Sequence, residues 1–143
     1  MTIDDIKAWL NRGYRLEQLI KLDRQKIKEL EDLSTSLGGF DLSERVQNSP
    51  KLETKYEKYI FDKDKRIRLL KQRINEREKI LEEVDKAINS LEDNLEIEIL
   101  SYRYLYFMSF REISEKTYFS IGKCFKIHDE AVSKLKNKKN ERY

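Results

Sequence analysis

Apolar residues recur at alternating spacings of three and four along the N-terminal part of the chain. The positions are Ile6, Trp9, Gly13, Leu16, Ile20, Asp23, Ile27, Leu30, Ser34 and Leu37. Only Gly13, Asp23 and Ser34 interrupt the apolar series. This heptad pattern is typical of an amphipathic helix, and it predicts one helix over about residues 3–33. Thr2, followed three residues later by Asp5, is expected to cap its N-terminus.

A second and more regular heptad pattern follows. Positions 60, 67, 74, 81, 88 and 95 are all Ile or Leu, and positions 56, 63, 70, 77, 84 and 91 are Tyr, Lys, Leu, Arg, Val and Leu. A spacing of 3.5 residues sustained over about 40 residues is typical of a left-handed coiled coil. Such a helix is ~60 Å long, which is too long for a small globule to bury. Its apolar seam therefore needs a partner, either the first helix folded back antiparallel, a second copy of the chain, or both.

Turn-forming residues separate these two periodic stretches. They are Ser34–Ser36, Gly38–Gly39 and Asn48–Pro50, and they predict a linker over about residues 34–50. We therefore predict that residues 1–91 form an N-terminal coiled-coil helical hairpin. No breaker interrupts the second pattern, so we expect its helix to continue without a break into the C-terminal residues 92–143.

The C-terminal residues differ in character from the coiled coil. Leu95 to Met108 carry apolar and aromatic side chains on several faces, which predicts the central helix of a small domain. Ser109 is expected to cap a short helix over 110–116, and Ser120 a longer helix that ends near Leu135. Four residues of that last helix form one apolar stripe at spacings of three and four. They are Cys124, Ile127, Ala131 and Leu135.

A short helix, a turn and a longer helix with a small, basic N-terminal face together predict a helix-turn-helix. The apolar stripe would anchor the second helix, while its first turns would enter a major groove ~12 Å wide. The face opposite the stripe carries Ile121, Gly122, Lys123, Phe125, Lys126 and Asp129. The predicted fold class is all-α, with a coiled-coil helical hairpin followed by a small helix-turn-helix domain.

The sequence of this domain resembles region 4 of the sigma-70 family. Ile99–Tyr104 (ILSYRY) and Met108–Ser114 (MSFREIS) are similar to the LRYRY and LSWREIA segments of that family. Ser120–Leu135 resembles its recognition helix. A long coiled coil before such a domain is similar to phage and prophage late-gene transcriptional regulators of the ArpU and RinA kind.

The resemblance implies DNA contacts by Ser120, Lys123 and Lys126, with Arg111 supporting them at the DNA backbone. Phe125 lies where the family usually has polar contacts, and we include it in the candidate interface. Each residue also has a simpler interpretation: Ser120 as a helix cap, the lysines as solvated charges, and Arg111 as the partner of Glu115. The basic residues near the C-terminus are expected to aid binding nonspecifically or to lie in a frayed end. They are Lys134, Lys136, Lys138, Lys139 and Arg142.

Composition and charge narrow the choice of function. The 143 residues are 40% charged and include four Gly and one Pro, which argues against sandwiches, barrels and doubly wound sheets. The net charge is only +3, but residues 111–143 carry nine Lys or Arg against five Asp or Glu. A basic C-terminal segment suits a polyanionic partner.

Candidate residues for chemistry are few. A single cysteine, Cys124, excludes a disulfide framework and a Cys-based zinc site, and it fits a reducing compartment. The lone His128 has no catalytic or metal-binding neighbours in sequence, so we expect no enzyme, no metal and no cofactor. No apolar run approaches ~18 residues, and the N-terminus does not resemble a secretory signal. We expect a cytoplasmic protein of a bacterial host cell that does not bind a membrane.

These expectations combine into one functional hypothesis. The chain is predicted to be a phage-type transcriptional regulator that binds duplex DNA through its C-terminal helix-turn-helix, with the coiled coil for assembly and a dimer favoured. Two alternatives remain open. One is a helical adaptor that binds RNA polymerase or another protein, and the other is a DNA-packaging adaptor similar to a small terminase subunit.

Overall fold

The part of the chain that the structure, a computed structural model, describes consists of helices joined by short turns. Its backbone is described for residues 1–38 and 50–142, and its side chains for residues 1–35 and 54–139. The helices are α1 (Ile3–Leu10), α2 (Arg12–Gly38), α3 (Pro50–Ile88), α4 (Asn94–Tyr104), α5 (Phe110–Thr117) and α6 (Ile121–Arg142). No residue in the described ranges belongs to a β-strand. The all-α fold class is therefore confirmed.

The predicted helix over residues 3–33 is divided at Asn11. Its cap is confirmed, because the Thr2 hydroxyl accepts a hydrogen bond from the Asp5 amide at 3.1 Å and the Asp5 carboxylate accepts one from the Thr2 amide at 2.9 Å. These hydrogen bonds lower the pKa of Asp5. α1 ends at Leu10, where the Arg12 side chain donates to the Trp9 carbonyl at 3.0 Å. The Arg12 guanidinium thus satisfies a carbonyl that the helix end leaves without an intrahelical partner.

α2 extends further than predicted, to Gly38. The Ser34 hydroxyl donates to the Glu31 carbonyl at 3.0 Å, so this turn-forming residue is accommodated within the helix. Residues 34–38 of the predicted linker are therefore helical, and residues 39–49 lie outside the described part of the chain. Pro50 is the first residue of α3, a position where its missing amide hydrogen is not needed.

α3 does not continue into the C-terminal residues, and the prediction of a continuous helix is wrong. α3 ends at Ile88, and the Asn89 side chain donates to the Asp85 carbonyl at 2.9 Å. Asp93 then caps α4, because its carboxylate accepts from the amides of Leu95 and Glu96 at 2.8 and 3.3 Å. The last predicted seam positions, residues 91 and 95, consequently lie beyond α3.

The chain divides into two compact units. One contains residues 1–16 together with 77–143, and the other contains residues 17–76. The boundary predicted between residues 91 and 92 therefore falls inside the first unit. In that unit α1, α4 and α5 all contact α6. The N-terminal helix and the last turns of α3 thus belong with the C-terminal helices.

Two apolar clusters form the core of the first unit, and α4 contributes to both. The larger cluster contains Ile6, Leu10, Val84, Ile88, Leu91, Leu100, Tyr104, Ala131, Val132 and Leu135. The smaller one contains Ile99, Ile113, Cys124 and Ile127. Because successive residues Ile99 and Leu100 point into different clusters, α4 is apolar on more than one face, as its composition predicts.

In the second unit α2 and α3 are connected by charged pairs. The buried Asp23 carboxylate lies 3.0 Å from Arg66 and 2.6 Å from Arg73, and Glu31 lies 3.2 Å from Lys63. Glu31 lies after Asp23 on α2, whereas its partner Lys63 lies before both arginines on α3. The two segments therefore run antiparallel. Asp23, an exception in the heptad pattern, is thus a fully buried charge held by two arginines.

Candidate nucleic-acid interface

Hydroxyl groups fix the turn between α5 and α6. The Ser109 hydroxyl accepts from the Glu112 amide at 3.1 Å, and that of Ser120 accepts from the Lys123 amide at 3.1 Å. Both caps expected from the sequence are therefore confirmed. Within the turn, the Ser114 hydroxyl donates to the Phe119 carbonyl at 2.5 Å. Tyr118 takes a left-handed conformation with φ of 63°, which sets the angle at which α6 leaves the turn.

The predicted apolar stripe anchors α6. Cys124, Ile127, Ala131 and Leu135 are all buried. His128 and Val132 are buried beside them, and the sequence reasoning did not assign either to the core. α6 also runs to Arg142 rather than ending near Leu135. The helix is therefore held along its length by the core of the first unit.

All five predicted contact residues are exposed. Ser120, Lys123, Phe125 and Lys126 lie at the start of α6, and Arg111 lies in α5. The Ser120 oxygen is engaged as the cap, although its O–H can still donate. The Arg111 guanidinium lies 3.8 Å from the Glu115 carboxylate, and both side chains are highly exposed. Such an exposed pair is worth little, so Arg111 can exchange it for another anion.

Two of the predicted residues are also engaged with aromatic rings. Phe125 stacks on Phe110 with ring centroids 3.9 Å apart, while 46% of it remains exposed. The Lys123 ammonium lies 4.1 Å from the centroid of the Phe119 ring, within the range of a cation–π contact. Phe125 therefore packs against Phe110 and remains partly exposed. Lys123 is positioned by Phe119 of the turn.

Two exposed residues beside the predicted contacts were not proposed from the sequence as DNA contacts. Tyr118 is 95% exposed at the turn, and Ile121 is 44% exposed at the first position of α6. The sequence places Ile121 on the face opposite the stripe, and that position was the signal that it would be exposed. Both residues lie in sequence close to Lys123.

The C-terminal lysines are mostly committed to contacts within the first unit. Lys134 donates to the buried Glu96, and Lys138 donates to the Ser90 carbonyl. Lys139 lies over the Trp9 ring, 3.1 Å from its centroid. The prediction of a frayed end is thus wrong for these three, because their side chains hold α6 against the rest of the first unit, whereas nonspecific help in DNA binding stays a prediction. The hydrogen bond to Glu96 raises the pKa of Lys134, and burial lowers that of Lys139.

His128 is a buried part of the core rather than a reactive group. Its Nε2 lies 2.6 Å from the Tyr104 hydroxyl, and its Nδ1 lies 3.0 Å from the Asp129 carboxylate. A neutral imidazole that donates from Nδ1 and accepts from Tyr104 satisfies both contacts, and this tautomer is assigned from the hydrogen bonds. Burial lowers the pKa of His128 and raises that of Tyr104 to about 12.

We expect acidification to destabilise the first unit through His128. Its pKa is lower in the folded than in the unfolded protein, so the unfolded state binds the extra proton first. The free energy of unfolding is therefore highest above the unfolded pKa, ~6.5, and falls below it by at most about 1.4 kcal/mol per pH unit. Urea unfolding between pH 7.5 and 5.5 measures this slope. In His128→Gln the slope should largely disappear, and an unchanged slope would contradict the assignment.

In the described part of the chain, no group of three or more His, Cys, Asp or Glu side chains is arranged to hold a metal ion. Within residues 1–38 and 50–142, no helix is both long and apolar enough to cross a membrane.

The comparisons with known proteins identify no relative. No family model matches the chain, and no curated protein or solved structure matches it either. The case for a function therefore rests on the geometry of α5, the turn and α6.

Proposed function

We propose that the chain is a phage-type transcriptional regulator that binds duplex DNA. In this proposal α5, the turn and α6 form a helix-turn-helix, and α6 is the recognition helix. The observation that carries the proposal is the two-sided character of α6. Its inner side is buried along the stripe, whereas its first turns expose small, apolar and basic residues. A helix of this kind fits the major groove.

The charge around the turn supports a polyanionic partner. Between Lys116 and Lys126 the chain carries three lysines and no carboxylate. The carboxylates of Glu115 and Asp129 flank this stretch, and each has a cation nearby, Arg111 at 3.8 Å and Lys7 at 3.6 Å. The exposed start of α6 is therefore locally basic although the whole chain is nearly neutral, and phosphate contacts favour such a surface.

We expect Lys123→Ala/Lys126→Ala to weaken DNA binding at least about tenfold. If both lysines contact phosphates, the slope of log affinity against log salt should also fall by about two. The duplex is first selected from a random library with the purified full chain, and affinities are then titrated at two salt concentrations. Circular dichroism checks that the variant folds.

A matched control separates this effect from a change of net charge. Lys79→Ala/Lys86→Ala removes two exposed lysines from α3 in the same unit. Its affinity should stay within about twofold of the unmodified protein, because these lysines lie on another helix. Full affinity in a folded Lys123→Ala/Lys126→Ala variant would show that α6 is not the recognition helix.

The unit of residues 17–76 is proposed to form the coiled coil that assembles the regulator as a dimer. Large apolar side chains remain exposed in this unit, among them Leu22, Leu33 and Phe61, the last of which is 62% exposed. A second copy would cover them, and a dimer would carry two recognition helices for two half-sites. Sedimentation equilibrium should give a dimer, and a monomer at micromolar concentration would contradict this part of the proposal.

A protein-binding adaptor is the second candidate. The exposure of Ile121 and Phe125 favours it, because apolar residues at a surface also suit RNA polymerase or another protein as partner. Salt separates the two functions. DNA binding through several lysines weakens steeply with salt, whereas an apolar protein interface does not. A DNA-packaging adaptor would share the DNA-binding surface and would differ by assembling into a ring.

A further inference from the structure

We infer that Ile121 contacts the methyl groups of thymine in the major groove, an inference that rests on the proposed DNA-binding function. The chain would then select its site partly through an apolar contact at the start of α6.

The side chains available at the start of α6 limit what it can read. Guanine is read best by Arg or Lys, and adenine by Asn or Gln, whereas the thymine methyl is read by apolar contact. Residues 116–126 contain no Arg, Asn or Gln. Ser120 caps the helix, and Lys123 is positioned over the Phe119 ring. Ile121 and Phe125 are the exposed side chains of α6 whose chemistry matches the thymine methyl, and Phe125 already stacks on Phe110. Ile121, the first residue of α6, is therefore the apolar side chain that we assign to the base.

Ile121 belongs to a group of exposed apolar residues around the start of α6. It is 44% exposed, and Tyr118 and Phe125, which are 95% and 46% exposed, lie within four residues of it in sequence. Several large apolar side chains exposed along one short stretch are typical of a surface that a partner covers.

The open space around Gly122 is a second and independent observation. A Cβ atom built at this residue meets nothing within 4 Å, so packing within the chain does not require glycine here. Glycine inside a helix costs about 1 kcal/mol relative to alanine. Glycine is characteristic of places where the backbone closely approaches a ligand. Beside Ile121, it allows the first turn of α6 to lie deep in a groove.

The basic surroundings identify the partner as DNA rather than an apolar protein. Lys116, Lys123 and Lys126 lie on the same stretch as Ile121, without an intervening carboxylate. An apolar residue framed by cations is complementary to the major groove, where thymine methyl groups lie between two phosphate backbones.

Replacing thymine by deoxyuridine in the selected duplex tests the inference, because deoxyuridine lacks the methyl group and keeps the hydrogen-bonding groups. Each thymine is replaced in turn, and binding to the full chain is titrated. We expect at least one position where the affinity falls about fourfold, the factor that corresponds to ~0.8 kcal/mol for one buried methyl group. In Ile121→Ala this thymine preference should disappear, and in Ile121→Val it should persist.

Ile3→Ala is the matched control. Ile3 is also an isoleucine at the first position of a helix, and it is 37% exposed in the same unit. This variant should keep the fourfold preference. Should it lose the preference as Ile121→Ala does, the contact would not belong to Ile121 and the inference would be overturned.

The remaining outcomes separate the inference from the proposed function. Equal affinity for thymine and deoxyuridine duplexes, or an unchanged preference in Ile121→Ala, would overturn the inference and leave DNA binding intact. Failure of the unmodified chain to bind any duplex would overturn both. If Ile121→Ala instead lost a protein partner such as RNA polymerase while binding DNA normally, Ile121 would belong to a protein interface and the inference would be wrong.

Discussion

Leu10→Ala is expected to lower the free energy of unfolding by about 2–5 kcal/mol. Leu10 is fully buried at the end of α1, in the cluster that also contains Leu100 and Val132. Truncation removes apolar contacts and leaves a cavity that the surrounding helices fill only in part. Urea unfolding followed by circular dichroism measures the change. The expected fall in the free energy of unfolding is large because α1 is an integral part of the first unit.

Tyr106→Ala is the control for this substitution. Tyr106 is another large side chain of the same unit but is 71% exposed, so its truncation should change stability by less than about 0.5 kcal/mol. Equal effects of the two truncations would contradict the packing of α1 described above.

A fragment tests the same packing. Residues 92–143 lack α1 and the end of α3, so this fragment should not unfold cooperatively by itself. A stable fragment would contradict the contribution of α1 to the first unit.

Arg66→Ala/Arg73→Ala is expected to destabilise the second unit by about 3–5 kcal/mol. Both arginines bind the same oxygen of Asp23, at 3.0 and 2.6 Å, and Asp23 is fully buried. Its other oxygen is buried and has no hydrogen-bond partner in the described part of the chain. Removing the arginines therefore leaves a buried carboxylate without a charged partner, which is costly. Thermal unfolding of the full chain measures the loss.

Adding Asp23→Leu to the double variant should restore most of that stability. The added substitution removes the buried charge and places an apolar side chain in a heptad position, which is often neutral or stabilising. Arg68→Ala/Lys71→Ala, which removes two exposed cations from the same helix, serves as the control and should have little effect. A triple variant as unstable as the double one would show that the arginines act through something other than Asp23.

The sequence predicted the local features of the fold well. The buried residues among the described side chains of α2 are all heptad positions: Gly13, Ile20, Asp23 and Leu30. The caps at Thr2, Ser109 and Ser120 form as expected. Periodicity did not reveal where helices end. The pattern continues across Asn11 because α1 and α2 bury the same heptad positions on either side of a one-residue break. It also continues past Ile88, because Leu91 remains buried after α3 has ended.

Contacts between distant parts of the chain could not be predicted from local pattern. Gly13 is an imperfection in the heptad, yet a Cβ atom there would lie 2.8 Å from Leu81, so α2 and α3 approach too closely for a larger residue. Lys138 has the appearance of a solvated tail residue, but it donates to the Ser90 carbonyl 48 residues earlier. Such pairs arise from tertiary packing, which composition and spacing do not encode. The exposed face of α6 was predictable because a stripe on one side leaves the other side free.

The packing of α1 against α6 also bears on the order in which contacts form during synthesis. Ile6 leaves the ribosome well before its cluster partners Val132 and Leu135, which follow it by more than a hundred residues. Contacts between residues so far apart in sequence close a long loop and form late. The unit of residues 17–76 contains only a continuous stretch of chain, and all of it is present once α3 has been made. The contacts of α1 with α6 must therefore wait until α6 itself has been translated.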